Sequence, residues 1–201
     1  SFSFARQALG KDAYEVAKLL VDGTDDAQRG LAAAVLSAAS HSVPLMFCAD
    51  DEAAPFGVAI QPGDKLALVG YMAPVAKQFE GKVAETVIFD KGRELAGHAD
   101  VTPCALQAEV LPTCDIVVSS GTSVVNRTVE DLLVMCPNAR EFVLTGTSTP
   151  MLPTAYKGTR VTSLAGTVWR QDAKDEIFRT IALGGGMMAC RPLRQNVCVR
   201  V

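Results

Sequence analysis

The chain has 201 residues, of which 49% are hydrophobic and 20% are charged, and its formal net charge is -3. This composition provides material for a real core, argues against disorder, and offers no massed basic face for a nucleic acid. No apolar run approaches the roughly 18 residues that cross a bilayer, so we expect a soluble, cytoplasmic protein without a membrane partner.

The first fifty residues predict two helices. Asp12 begins a capping-box pattern, and apolar residues then recur at helical spacing until Gly23, which ends the helix. A second helix is predicted to begin at Asp25 or Asp26, where an acidic side chain suits the positive end of the helix dipole. It continues through the small residues of "QRGLAAAVLSAAS".

A change of pattern follows this helical part. Residues 48–64 mix acids, prolines and glycines, which is typical of a linker. We therefore divide the chain into an N-terminal helical part, residues 1–55, and an α/β domain, residues 56–201.

The α/β domain is predicted from alternating strands and helices. Five short apolar runs suit strands buried on both faces, and they are residues 65–70, 85–90, 114–120, 141–146 and 160–166. Helical candidates lie between and after them, at residues 73–81, 103–112, 128–136, 152–158 and 172–186. This alternation indicates a Rossmann-like open parallel sheet with helices on both faces.

Candidate binding loops follow from this architecture. In an open parallel sheet the ligand crevice lies beyond the carboxyl ends of the strands. That rule selects five places, which are Gly70–Tyr71, Asp90, Ser119–Thr128, Thr145–Pro150 and Ala165–Thr167. Hydroxyls and backbone N–H groups at helix starts are neutral donors, so these loops suit a carboxylate, a phosphate or a polar organic molecule rather than a metal ion.

Local roles are the alternative for single residues of these loops. Thr128 with Asp131 would cap a helix, Asn126 would form an Asx-turn, and Pro150 would shape a turn. Capping needs one such residue per helix, whereas the two loops together carry six. We therefore interpret them jointly as a ligand site.

A nucleotide-like cofactor is a second interpretation. The stretch "VGYMAPV" carries only Gly70 where G-x-G-x-x-G would stand, so the NAD fingerprint is absent. Asp90, at the end of the second strand, is nevertheless the type of residue that contacts a ribose.

Metal-ligand spacing is absent from the sequence. The six cysteines form no C-x-x-C pair, and a reduced chain fits them best, although an even number also permits disulfides. His98 with Asp100 and the acidic run 50–52 are interpreted as solvated surface. We therefore predict no metal site made by protein side chains alone, so that any metal arrives with a chelating ligand.

The loops carry a resemblance to a known family. In order, the matching stretches are "IQPGDKLALVGYMAPV", "LPTCDIVVSSGTSVVNRTVEDLLVMC", "FVLTGTSTPMLP" and "VTSLAGTVW". They resemble the heavy-metal chelation domain family of unknown function, in which a strand leads to T-G-[ST] and N-x-T, followed by G-P-S-T-P and A-G-T. The resemblance covers about residues 56 to 186. Its specificity comes from several loops that agree in order.

The resemblance implies a Rossmann-like C-terminal domain joined to a small N-terminal domain similar to the N-terminal part of enolases, with a site between them. Here that domain is expected to be helical or α+β and partly reduced. The motif residues carried over by position are Gly121, Thr122, Asn126, Thr128, Gly146, Ser148, Thr149, Pro150 and Gly166. Two departures stand out: Thr147 replaces the family's proline, and "GLAAAVLSAAS" lacks the asparagine of the family's G-L-A-x-x-N-A helix.

These observations lead to one principal hypothesis. We expect the protein to bind a small anionic molecule, such as a metal chelator or its metal complex, at the carboxyl ends of the strands. The candidate ligand-binding residues are Gly70, Asp90, Gly121, Thr122, Asn126, Thr128, Gly146, Ser148, Thr149 and Gly166. The rivals are a transferase or oxidoreductase with a nucleotide-like cofactor, and a scaffold without a small ligand.

A homodimer is expected because small apolar residues such as Ala32, Ala33 and Val35 form a helix face without evident cover.

Overall fold

A computed structural model describes residues 4–48 and 51–201. The strands in this part of the chain are β1 Lys65–Val69, β2 Glu85–Phe89, β3 Ile116–Ser120, β4 Glu141–Thr145, β5 Ser163–Trp169 and β6 Arg194–Arg200. The α-helices are α1 Ala5–Ala8, α2 Ala13–Ala17, α3 Leu19–Asp22, α4 Asp26–Ser40, α5 Ala73–Phe79, α6 Lys91–Leu95, α7 Gln107–Val110, α8 Thr122–Val125, α9 Val129–Met135 and α10 Lys174–Ala182.

One six-stranded sheet organises the α/β part, with strand order β2-β1-β3-β4-β5-β6. The first five strands are mutually parallel, and β6 pairs antiparallel with β5. The chain moves from β1 outward to β2, then returns to place β3 on the other side of β1. The connections therefore diverge between β1 and β3, which is the switch point where open α/β sheets form a ligand crevice.

Both faces of the sheet are covered because successive residues of a strand point to opposite sides. In β3, Ile116 and Val118 pack with Phe79 of α5 on one face. Val117 packs on the other face with Leu132 of α9. The predicted α/β sheet with helices on both faces is therefore confirmed.

The helical N-terminal part packs onto the sheet domain through α4. Asp25 caps α4 by accepting a hydrogen bond from the Gln28 N–H at 2.8 Å. α2 and α3 pack on α4, and α4 packs on α8. The Arg29 Nε donates to the Val125 carbonyl at the end of α8 at 3.0 Å, which ties the two units together.

Several predicted elements differ from the structure. The helix that follows Asp12 is broken at Lys18 into α2 and α3, and the second helix is α4 as expected. The fifth strand begins and ends three residues later than predicted. β6 was not predicted, because only Val197 and Val199 of this strand are buried and the sequence shows no apolar run there. The division at residue 55 and the likeness to enolases stay predictions.

An ion pair fixes the amino ends of the strands, on the side opposite the candidate site. Asp64 is 3% exposed and accepts two hydrogen bonds from the Arg140 guanidinium, one of 2.7 Å between Nη1 and Oδ1. The Gln61 N–H donates to the same carboxylate at 2.7 Å. Burial raises the pKa of Asp64, but the bonds from Arg140 and Gln61 prevail and lower it below its ordinary value.

Replacing Arg140 by methionine is expected to destabilise the fold by about 3 kcal/mol, because the buried Asp64 charge loses its partner. Urea denaturation at neutral pH measures this loss. Arg170→Met is the matched control, since Arg170 and Asp172 are an exposed pair whose loss is expected to change stability little. Equal effects of the two substitutions would contradict this role of Arg140.

Candidate functional site

The switch point is lined by Gly70 and Ser120, which follow or end the neighbouring strands β1 and β3. Gly70 has φ +91°, and a Cβ placed on it would lie 3.0 Å from the Ser120 Cβ. Glycine is therefore favoured there both by its backbone conformation and by the closeness of Ser120. The Ser120 Oγ also accepts a 2.9 Å hydrogen bond from the Thr122 hydroxyl. Ser120 stands within the polar loop of the sequence but was not among the predicted site residues.

Gly121 brings the two polar loops into contact. Its N–H donates to the Thr145 carbonyl at the end of β4 at 2.7 Å. A Cβ on Gly121 would lie 2.4 Å from the Thr149 Oγ1 and 2.7 Å from the Thr149 nitrogen, so no larger residue fits without a backbone shift. The loops after β3 and β4 therefore form one continuous surface, as the sequence suggested.

The loop after β4 has polar groups without partners. Thr147 and Ser148 make no hydrogen bond to any residue of the described chain, either through the backbone N–H or through the hydroxyl. The Thr149 N–H donates to the Gly146 carbonyl at 3.1 Å, but its Oγ1 is buried and also lacks a partner within residues 4–48 and 51–201. Buried polar groups are normally paired, so the unpaired Thr149 hydroxyl marks this loop as unusual.

Asn126 and Thr128 lie at the far end of α8 and satisfy each other. The Asn126 Oδ1 accepts bonds from the Thr128 hydroxyl at 2.8 Å and from its N–H at 3.3 Å. This is the Asx-turn that was considered as the local alternative. Thr128 makes no side-chain capping bond to α9, so the expected cap with Asp131 is absent. Between these residues Arg127 has φ +61°, and its guanidinium donates to the Val21 carbonyl.

The short length of α8 changes the expectation that the start of a helix helps to bind the ligand. α8 has four residues, and its first turn carries no side-chain cap. A helix dipole grows with the number of aligned peptide units. A helix of four residues therefore contributes little to anion binding. Binding at this edge would instead depend on the hydroxyls and N–H groups of the loops.

Asp90 joins the loop after β1 to α6. Its Oδ2 accepts from the Tyr71 N–H at 2.8 Å and its Oδ1 from the Arg93 N–H at 2.9 Å. The hydrogen bond from Tyr71 is the main cause that lowers the pKa of Asp90, with Arg93 contributing and burial opposing. The Arg93 guanidinium lies over the Tyr71 ring at 4.3 Å. Both carboxylate oxygens of Asp90 thus have structural partners, and its contact with a ribose stays a prediction.

Gly146 and Gly166 position the loop after β4. Gly146 has φ +118°, and its N–H donates to the Ala165 carbonyl at 3.0 Å. Gly166 is buried, and a Cβ on it would lie 2.7 Å from the Met151 Sδ, so its small size makes room for Met151. The Met151 N–H in turn donates to the Ser40 Oγ of α4 at 3.1 Å. Gly166 therefore shapes the site through packing, and Ser40 contributes to it although no sequence pattern predicted this residue.

Two surface depressions lie away from the candidate residues. One of 590 Å³ is bounded by α10, with Asp172, Glu176 and Arg179 among its lining residues. Another of 380 Å³ lies between Val134 and Arg160. Neither includes a candidate site residue.

Within residues 4–48 and 51–201, no three His, Cys, Asp or Glu side chains cluster as a metal site requires. His98 and Asp100 both contact Arg93, while Asp50 of the acidic run lies outside the described residues. None of the helices in the described part combines the length and apolar character needed to cross a bilayer.

A doubly wound α/β sheet with polar loops at its switch point is the architecture of a large class of ligand-binding proteins. The chain belongs to the DUF364 family, described as "Putative heavy-metal chelation", whose profile matches residues 53–200. It is also similar to an uncharacterized protein of Methanocaldococcus jannaschii, with 28% identity over 149 residues. That match covers 74% of this chain and 57% of the relative, so the chain spans little more than half of that protein.

Two solved structures of DUF364 proteins of unknown function share the fold. The protein from Pyrococcus horikoshii superposes with a TM-score of 0.79 at 22% identity, over 96% of this chain and 77% of its own. The protein from Desulfitobacterium hafniense gives a TM-score of 0.76 at 20% identity, over 100% of this chain and 79% of its own. These likenesses establish the α/β fold.

The substitution Gly121→Ala is expected to destabilise the protein by about 1–3 kcal/mol, because the new Cβ would collide with the Thr149 backbone. Urea denaturation measures the loss. Gly63→Ala is the control, since a Cβ at Gly63 meets nothing within 4 Å. A well-tolerated alanine at residue 121 would mean that the two loops are not held in close contact.

Asp90→Asn is expected to reduce stability by about 1.5–3 kcal/mol at neutral pH, because hydrogen bonds to a charged acceptor are lost. Since the folded-state pKa of Asp90 is lowered, its contribution is present above the ordinary carboxyl pKa of about 4 and is lost as the pH falls through the folded value. The gap between wild type and variant should therefore shrink in acid. Urea denaturation from neutral to acidic pH measures this difference in stability. Asp22→Asn, at an exposed aspartate, is the control. A difference that does not depend on pH would contradict the stabilising role of the Asp90 carboxylate.

Proposed function

We propose that the protein binds a small anionic molecule, including a metal chelator or its metal complex, on the surface formed by the loops after β3 and β4. The unpaired donors of Thr147 and Ser148 are the observation that carries this proposal. They are held beside the switch point by the contact between Gly121 and Thr149. Groups that donate hydrogen bonds and lack acceptors suit the oxygens of a carboxylate or phosphate.

The chemistry of these donors favours an anion over a bare cation. Hydroxyls and backbone N–H groups can both donate to an anionic oxygen, whereas a hard cation requires several oxygen acceptors, most often carboxylates. Within this proposal a metal is held through the anionic groups of its chelator. Arg93, stacked on Tyr71 next to the loop after β1, is paired with Asp100 at 2.7 Å, so the proposal depends on the loop donors and not on its charge.

The candidate residues have different roles in this proposal. Ser148 donates to the ligand, and Gly70 and Gly121 leave room for the close approach of the loops. The Thr122 hydroxyl donates to Ser120, so Thr122 holds the start of α8 in place beside the ligand. Asn126 and Thr128 bond to each other, so they hold the turn after α8. Gly146, Thr149 and Gly166 position the loop after β4.

We also propose that the protein is cytoplasmic and forms a homodimer. All six cysteines are free thiols, which suits a reducing compartment. Ala32 and Ala33 are buried within the chain, so the helix face on which the dimer was first predicted is already covered. The exposed apolar side chains of Phe178, Ile181 and Leu183 now support it.

Native mass spectrometry of freshly purified protein tests this proposal directly, because it reports a retained ligand, a metal and the oligomeric state together. Binding is then measured with citrate, with the nickel–citrate complex and with free Ni²⁺. We expect binding of citrate or of its complex and no binding of free Ni²⁺. Binding of free Ni²⁺ alone would overturn the proposed chemistry.

Ser148→Ala is expected to weaken binding of citrate or nickel–citrate by about 1.5–3 kcal/mol, roughly 10- to 150-fold in Kd, because a hydroxyl donor to a charged oxygen is lost. Its stability should change by less than about 0.5 kcal/mol, since the hydroxyl has no partner in the described chain. Calorimetric titration and thermal melts measure the two effects.

Two controls separate binding from folding. Thr128→Ala should reduce stability through the lost turn and leave binding unchanged. Thr113→Ala, at the amino edge of the sheet, removes a hydroxyl that bonds to the Val110 carbonyl and should also leave binding unchanged. If Ser148→Ala binds like wild type while wild type binds the probe, the site lies elsewhere.

A further inference from the structure

Two of the six cysteines lie next to each other although they are far apart in sequence. The Cys48 N–H donates to the Cys198 carbonyl at 2.8 Å, which places residue 48 against β6, the edge strand of the sheet. Their side chains are also near each other, since burial and then the neighbouring Cys48 thiol raise the pKa of Cys198. The pair therefore has a direct backbone contact and neighbouring side chains.

Gly57 leaves space for this pair. Gly57 has φ +68°, and a Cβ on it would lie 3.1 Å from the Cys48 Sγ. The Arg200 side chain borders the same place, since its Nη1 lies 3.4 Å from the Gly57 carbonyl. The sulfur of Cys48 is thus packed between a glycine and the edge strand, on the side where Cys198 lies.

The other cysteines have different surroundings. Cys114, Cys136 and Cys190 are buried, whereas Cys48 and Cys198 are each partly exposed. Cys104 is also partly exposed, but its N–H donates to Glu94 at 3.0 Å and its side chain faces that carboxylate. A small oxidant can therefore reach the Cys48–Cys198 pair, and each thiol has the other as its neighbour.

We propose that Cys48 and Cys198 form an intramolecular disulfide when the protein meets a small disulfide oxidant, and that this bond ties the segment after α4 to β6. In the first step the thiolate of one cysteine attacks the oxidant, its S–S bond breaks, and one small thiol leaves. In the second step the other cysteine, as its thiolate, attacks the mixed disulfide and releases the second small thiol. The protein loses two protons and two electrons, and the oxidant is reduced to two thiols.

This bond would act on the element that holds the polar loops. Cys48 lies eight residues after the end of α4, and α4 contacts both α8 and the Met151 N–H. In a reducing compartment the pair remains as thiols, so the link forms only under oxidising conditions. The bond would also close a loop of about 150 residues, and long loops restrict the unfolded chain most.

The test uses the folded chain, reduced and then incubated with oxidised glutathione. Alkylation followed by intact-mass measurement should show two cysteines that are not alkylated. Peptide mapping without reductant should give one pair of peptides joined by a disulfide between Cys48 and Cys198. Thermal melts of the oxidised wild type should show a Tm higher by roughly 5–15 °C than that of the reduced protein.

Matched variants decide the assignment. Cys104→Ala should form the bond like wild type, whereas Cys48→Ala and Cys198→Ala should not form it, and circular dichroism checks that each variant is folded. Glutathione adducts on both cysteines of the wild type, or cross-links between chains in place of the internal bond, would overturn the proposal. An equal Tm for the two redox states would show that the bond does not restrain the fold.

Discussion

The contact between Gly121 and Thr149 determines the form of the candidate site. In a parallel sheet the loops after neighbouring strands begin about 5 Å apart, but side chains ordinarily keep their backbones from touching. Gly121 has no Cβ, so its backbone approaches the Thr149 backbone directly. The two polar loops therefore form one surface, and the unpaired donors of Ser148 have a fixed position beside β3.

The helical N-terminal part supports this surface through packing. Arg29 of α4 donates to the end of α8, and Ser40 at the other end of α4 accepts from Met151. A single 15-residue helix thus holds both loops. The family's helix asparagine is absent from this chain, yet the same helix reaches the site by a serine hydroxyl and a guanidinium. Its role in the proposed function is to position the loops.

Membership of the DUF364 family and the two similar structures agree with the fold, and each of those structures is itself of unknown function. The chemistry of the loops therefore has to be argued from this chain. The hydroxyl and N–H donors of the loop after β4 support the proposed binding of an anion. A metal complex with anionic groups is consistent with the family description and with these donors.

The first four strands and the two polar loops were predictable from the sequence, because apolar runs and their polar ends are local patterns. It also identified Gly121 and Ser148 as candidates. The edge strand β6 escaped prediction, since its alternating polar residues lack an apolar run. Which groups remain unpaired depends on tertiary contacts: Asp90 accepts from the distant Tyr71 N–H, and Ser148 has no partner in the described chain. Pairings between distant segments, such as Ser40 with Met151, follow from the packing of whole elements, which no local pattern encodes.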